Sequence, residues 1–141
     1  MDLYGQKLLP NLRKGTEYEL CLHSEPQGLW NFPVIVDSDE VILCSSIFDA
    51  MTFWVNGYRN VLGMYLRDGL TDAELNQLRQ HKVQRILVSP ELTASLDQLQ
   101  ANGFNCFRLS LPSGQSVNRY SLSLNNKSEA LGRLIRHAEW L

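Results

Sequence analysis

Two carboxylates and a pair of serines are the residues whose type and spacing could do chemistry. Cys44-Ser45-Ser46 closes the apolar run EVILCS, Asp49 comes four residues after Ser45, and Glu91 follows a second apolar run, RILVS. If both runs are strands of one parallel sheet, these side chains meet at its carboxyl end, where open α/β sheets bind ligands. Two carboxylates with water can hold Mg²⁺ or Mn²⁺, but such ions want further oxygen ligands or the phosphates of a substrate. Each residue also has a structural reading: the serine pair as a helix N-cap, and Asp49 and Glu91 as anions near the positive end of a helix. Other chemistry lacks its pattern. No GxGxxG, GxxxxGK[ST] or GxSxG follows any candidate strand, which leaves nucleotide loops and a nucleophile elbow without support. Cys21, Cys44 and Cys106 are too far apart for a CxxC site and sit among apolar neighbours, as buried thiols do. His23, His81 and His137 have no second ligand within three to five residues, so local sequence builds no zinc site.

The elements that must hold these residues are read from the hydrophobic pattern. YELCL (18–22), a turn at SEPQG (24–28) and LWNF (29–32) predict a small antiparallel hairpin in the lead-in. From Pro33 onward, short apolar runs alternate with segments of helical period, the form of successive βα units. Strands are expected at 40–45, 61–65, 85–89 and 104–111, with helices at 47–57, 71–81, 91–103 and 126–141. In the first helix Ile47, Met51, Trp54 and Val55 fall on one apolar stripe, and in the second Thr71 with Glu74 forms a capping box. The expected fold class is α/β: a mostly parallel four-stranded sheet flanked by helices, with an N-terminal hairpin. The expected organisation is a single domain over 1–141, with lead-in 1–33 and core 34–141.

Composition narrows the function classes. The 141 residues are 44% hydrophobic and 20% charged, enough apolar material for a core and no signature of disorder. Thirteen Lys plus Arg against 15 Asp plus Glu give a net charge of −2, so nucleic-acid contact must be local rather than a general basic surface. Arg108, Arg119, Lys127, Arg133 and Arg136 concentrate in the last third and are the candidates for contacting phosphates. Their alternative is a solvated helix face, with Arg133 and Arg136 flanked by Glu129 and Glu139. No apolar stretch is long enough to span a bilayer, and MDLYGQKLLPNLRKG lacks the continuous apolar run of a signal peptide; a cytoplasmic location is the expectation.

The string VILCSSIFDAMTFWVNGYRNVLGMYLRDGLTDAELNQLRQHKVQRILV resembles a Toprim domain, the catalytic module of bacterial-type primases and topoisomerases. More narrowly it is similar to the Toprim region of primase-like proteins from plasmids and mobile elements, in which a zinc finger precedes this module. The flanks YGQKL, LRKGTEYELCL, GLWNFP, GFNCFRLSLPSGQSVNRY and SEALGRLIRHAEWL extend the likeness over nearly the whole chain. The resemblance implies a glutamate at the end of the first strand as general acid or base, and an Asp-x-Asp pair after the third strand that binds the divalent metal. Here the glutamate position is Ser45, while the DA pair is kept as Asp49-Ala50. Glu91 falls on the first aspartate of the pair, or Ser89 and Glu91 fall on both, so most of the acidic cluster is gone. A set of four Cys or His for the zinc finger is also missing.

Metal-assisted phosphoryl transfer needs an ion to neutralise charge and a titratable group to move a proton, and a serine hydroxyl does not do the second task. The expectation is therefore a catalytically degenerate Toprim-like domain that binds nucleic acid or a replication protein. The alternative is a residual Mg²⁺- or Mn²⁺-dependent nucleotidyl transferase or nuclease using Asp49 and Glu91, helped by Asp37, Asp39 or Asp68. A third reading is an interaction protein with no nucleic-acid role, a homodimer burying Trp140 and Leu141.

Overall fold

The computed structural model describes residues 4–6, 19–21, 28–64, 67–112, 115–122 and 126–141, the first two segments by backbone alone. In chain order the elements are strands β1 (Tyr4–Gln6), β2 (Glu19–Cys21) and β3 (Glu40–Cys44), helix α1 (Ile47–Val55), β4 (Val61–Gly63), α2 (Asp72–Gln80), β5 (Arg85–Val88) and α3 (Thr93–Ala101). Then follow β6 (Asn105–Arg108), α4 (Val117–Leu122), α5 (Lys127–Arg136) and β7 (Glu139–Trp140). The main sheet has five strands in the order β4-β3-β5-β6-β7; the first four are parallel and β7 runs antiparallel to β6. This is the expected α/β class, a mostly parallel sheet flanked by helices, with one strand more than the four expected.

The central strands are continuously apolar because both faces are covered. Val41 and Leu43 point to one core, with Leu75 and Leu78 of α2 and Leu99 of α3. Ile42 and Cys44 point to the other, with Ala50 and Phe53 of α1, Val117 of α4 and Leu131 and Leu134 of α5. From β3 the chain moves outward to β4 through α1, then crosses β3 to β5 through α2 on the opposite face, as right-handed crossovers demand. That reversal makes the gap between the carboxyl ends of β3 and β5 a topological switch point.

Several expectations need correction. The hairpin partner of 18–22 is not LWNF: Glu19–Cys21 pairs antiparallel with Tyr4–Gln6, whereas Trp30 exchanges backbone hydrogen bonds with Gly63 at the outer edge of β4. Burial decides the second contact, since Leu29 enters the core beside Ile35. The turn at 24–27 and Tyr65 of the expected second strand lie outside the described residues. The stripe expected on α1 also has the wrong phase. Ile47 is buried as expected, but Met51, Trp54 and Val55 are exposed, and Ala50 and Phe53 are buried instead. The terminal helix stops at Arg136, and the next residues return to the sheet edge, where Trp140 aligns with Phe107 and Leu141 N–H donates to Cys106 O.

Candidate functional site

A cleft of about 580 Å³ opens at the switch point. Ser45, Ser46 and Asp49 line it from the β3–α1 connection, Pro90 and Glu91 from the turn after β5, and Leu111, Pro112, Gln115 and Ser116 from the segment before α4. The fold thus brings Ser45, Asp49 and Glu91 together, although the two carboxylates are 42 positions apart in the chain.

Local geometry assigns each side chain. Ser46 is the N-cap of α1: its backbone is extended and its Oγ accepts from Asp49 N–H at 3.1 Å. Asp49 is buried, with 6% of its surface exposed. Its Oδ1 accepts from Asn118 N–H at 3.1 Å, and Val117 N–H is a further backbone donor to the carboxylate. Asp49 therefore ties the start of α4 to α1. Burial pushes its carboxyl up from the usual range; the amides of Asn118 and Val117 oppose this in part, and the charge of Glu91 adds to the rise. Glu91 itself is exposed at the rim. Behind the cleft, burial pushes the Cys44 thiol well up, Asp49 adds to that, and the hydroxyl of Ser89 lies against it. Burial alone takes Cys106 to about 11, so both thiols stay protonated and unreactive.

A divalent cation does not find a finished site in this donor set. Mg²⁺ demands octahedral oxygen coordination, and the cleft supplies one carboxylate bound by two amides, one rim carboxylate, hydroxyls and the amide oxygen of Gln115. Among the described residues no three His, Cys, Asp or Glu side chains cluster to hold a metal. The suggested helpers sit elsewhere. Asp37 ends a 3-10 helix over Phe32–Asp37, and Asp39 precedes β3; both flank the amino end of the strand, across the sheet from the cleft. Asp68 follows β4 but is bound to α3, accepting from Ala94 N–H and Ser95 N–H at 2.9 Å each and from Ser95 Oγ at 2.8 Å. It does not line the cleft.

The basic candidates divide. Arg108 is paired with Glu139 at 2.7 Å, which joins β6 to β7. Arg119, Lys127, Arg133 and Arg136 are exposed on α4 and α5 and make no ion pair among the described residues. Arg133 and Arg136 also occupy the last turn of α5, where cations complement the helix dipole. Sequence reasoning missed the far wall of the cleft. Gln115, whose buried Oε1 has no partner among the described residues, and Ser116 come just before α4, where no hydrophobic period in the sequence marks a position as facing a site.

No protein-family model matches the chain, and no curated protein sequence does. Solved structures do. A DNA primase domain from Pseudomonas aeruginosa matches with a TM-score of 0.73 at 17% identity, over 97% of this chain and 47% of that one. The zinc-binding and RNA polymerase domains of the Aquifex aeolicus primase match with a TM-score of 0.70 at 17% identity, over 98% and 37%. A DnaG primase catalytic domain bound to single-stranded DNA matches with a TM-score of 0.67 at 11% identity, over 97% and 47%. The chain thus spans less than half the length of these three proteins, and at such identities the likeness is one of fold. That fold is the Toprim-like α/β architecture of DNA primase catalytic cores.

Proposed function

We propose that this chain is a degenerate Toprim domain of primase lineage that does not run metal-dependent phosphoryl transfer and acts as a nucleic-acid-binding module. One observation carries the reading: Asp49, the buried carboxylate of the cleft, is engaged by the amides that start α4, and the neighbouring position after β3 is Ser45. Burial disfavours the charged form that would ligate an ion, the two amides give the group a structural role, and a serine cannot relay a proton in place of a carboxylate. The binding half of the reading draws support from the exposed cations of α4 and α5, and from the primase core of the same fold that was solved with single-stranded DNA.

The test combines two assays on the purified chain. Primer synthesis and strand cleavage with Mg²⁺ or Mn²⁺ are expected at background, and labelled single-stranded DNA is expected to bind in a salt-dependent way. Metal-dependent turnover lost in both Asp49→Asn and Glu91→Gln would overturn the non-catalytic reading. Absence of binding at low salt would overturn the other half.

A further inference from the structure

The surface where the turn after α1 meets the start of α5 has features that the cleft does not use. Trp54 and Arg59 are both exposed, and the Arg59 guanidinium lies over the Trp54 ring, 3.6 Å from its centroid. Tyr58 joins this pair to α5. Its ring packs edge-on against Phe53, with centroids 6.1 Å apart, and its hydroxyl donates to Ser128 O at 2.9 Å. Gly132 explains how the helix comes so close: a Cβ there would stand 2.6 Å from Tyr58 Oη and 3.1 Å from Arg136 Nη1. A glycine inside a helix is unfavourable by itself, so its presence here serves the approach of these two side chains. Trp54 and Arg59 are thus joined by their stack, Tyr58 follows on to Arg136 beside Gly132, and Lys127 precedes Ser128 in the first turn of α5, which together make one strip.

The cations of this strip are not held in ion pairs. Arg59, Lys127 and Arg136 make no ion pair among the described residues. Glu129, the exposed acid of the same turn, shares a helix face with Gly132, Arg133 and Arg136 but forms no ion pair with a cation among the described residues. Cations interleaved with rings complement the phosphates and unpaired bases of a single strand. With a net charge of −2 the chain offers a short strip of this kind rather than the broad basic face that would grip a duplex.

We propose that the Trp54–Arg59–Tyr58–Arg136 strip is the docking surface for single-stranded nucleic acid, with Trp54 as the stacking platform and Arg59, Arg136 and Lys127 as phosphate contacts. This rests on the binding-module reading and gives it a place distinct from the cleft. The experiment is fluorescence anisotropy with labelled oligo-dT across a salt series, each variant first checked for an unchanged melting curve. Trp54→Ala is expected to weaken binding about tenfold with an unchanged salt slope, as loss of one stacked base does. Arg59→Ala with Arg136→Ala should reduce the slope by about 1.4, roughly 0.7 per phosphate contact on a single strand. Glu91→Gln in the cleft should bind like wild type. If wild type binds and the strip variants bind equally well, the placement falls while the binding-module reading stands. If wild type does not bind at low salt, both fall.

Discussion

Asp49 and Asp68 are both aspartates that accept backbone amides at the start of a helix, yet burial sets them apart. Burial raises the Asp49 carboxyl above its ordinary value despite its two amide donors. Folding is therefore penalised by its charge: the Asp49 contribution is most favourable below the unfolded value of about 3.9 and is lost as pH rises through the raised folded value. Asp68 is exposed. Desolvation, the largest single cause, pulls its carboxyl up, but the Ala94, Ser95 and Gly69 amides and the Ser95 hydroxyl together outweigh it and hold the carboxyl below the ordinary value. Its stabilisation is present above about pH 3.9 and lost as pH falls through the depressed value. Urea unfolding should show Asp49→Ala destabilised by about 1–3 kcal/mol, because the amides of Val117 and Asn118 lose their acceptor. Asp49→Asn, which keeps an acceptor without the charge, should lose clearly less above pH 5; equal losses would remove the amide tether from the account. Asp68→Ala should lose about 1 kcal/mol, the worth of a helix cap, with the difference from wild type closing below about pH 4.

At the scale of elements, what was legible in the sequence follows how regular each pattern is. The runs VILC and RILV marked the two central strands, and the Thr71 cap with Glu74 marked the start of α2, where Thr71 Oγ1 accepts from Glu74 N–H at 3.2 Å. The phase of α1 was not legible because IFDAMTFWV is apolar nearly all round. Two partners decide it: α4 covers the side bearing Asp49 and Thr52, and β4 draws Ala50 inward. Neither partner is visible in the helix's own periodicity. The two residues of β7 were equally silent, since a strand so short carries no alternation. Positions Ser45, Asp49 and Glu91 were found because they follow buried strands, whereas Gln115 and Ser116 lie in irregular chain and become neighbours of the cleft only in three dimensions. The packing of α1 on β4 also yields a test. A Cβ at Gly63 would stand 3.1 Å from Ala50 Cβ and 3.2 Å from Ile47 Cα. Gly63→Val should therefore destabilise by about 1–3 kcal/mol through overpacking, and a melting curve like that of wild type would contradict this contact.

As a whole molecule, the chain has the fold of a DNA primase catalytic core, with a cleft at the switch point of its sheet. Sheet order, the switch point and the two covered faces rest on apolar packing, which many sequences satisfy; this is why the fold likeness persists at 11–17% identity in the structures compared. The chemistry of a cleft depends instead on a few oxygen atoms, which the fold does not dictate. Among the described residues no helix is long and apolar enough to cross a membrane. The central claim, that this cleft does not assemble a catalytic metal site, is tested most directly by titrating Mn²⁺ into the purified chain by calorimetry, beside Asp49→Asn and Glu91→Gln. The account expects no saturable binding in wild type. Saturable binding of one ion per chain, abolished by both substitutions, would contradict it and restore Asp49 and Glu91 as metal ligands.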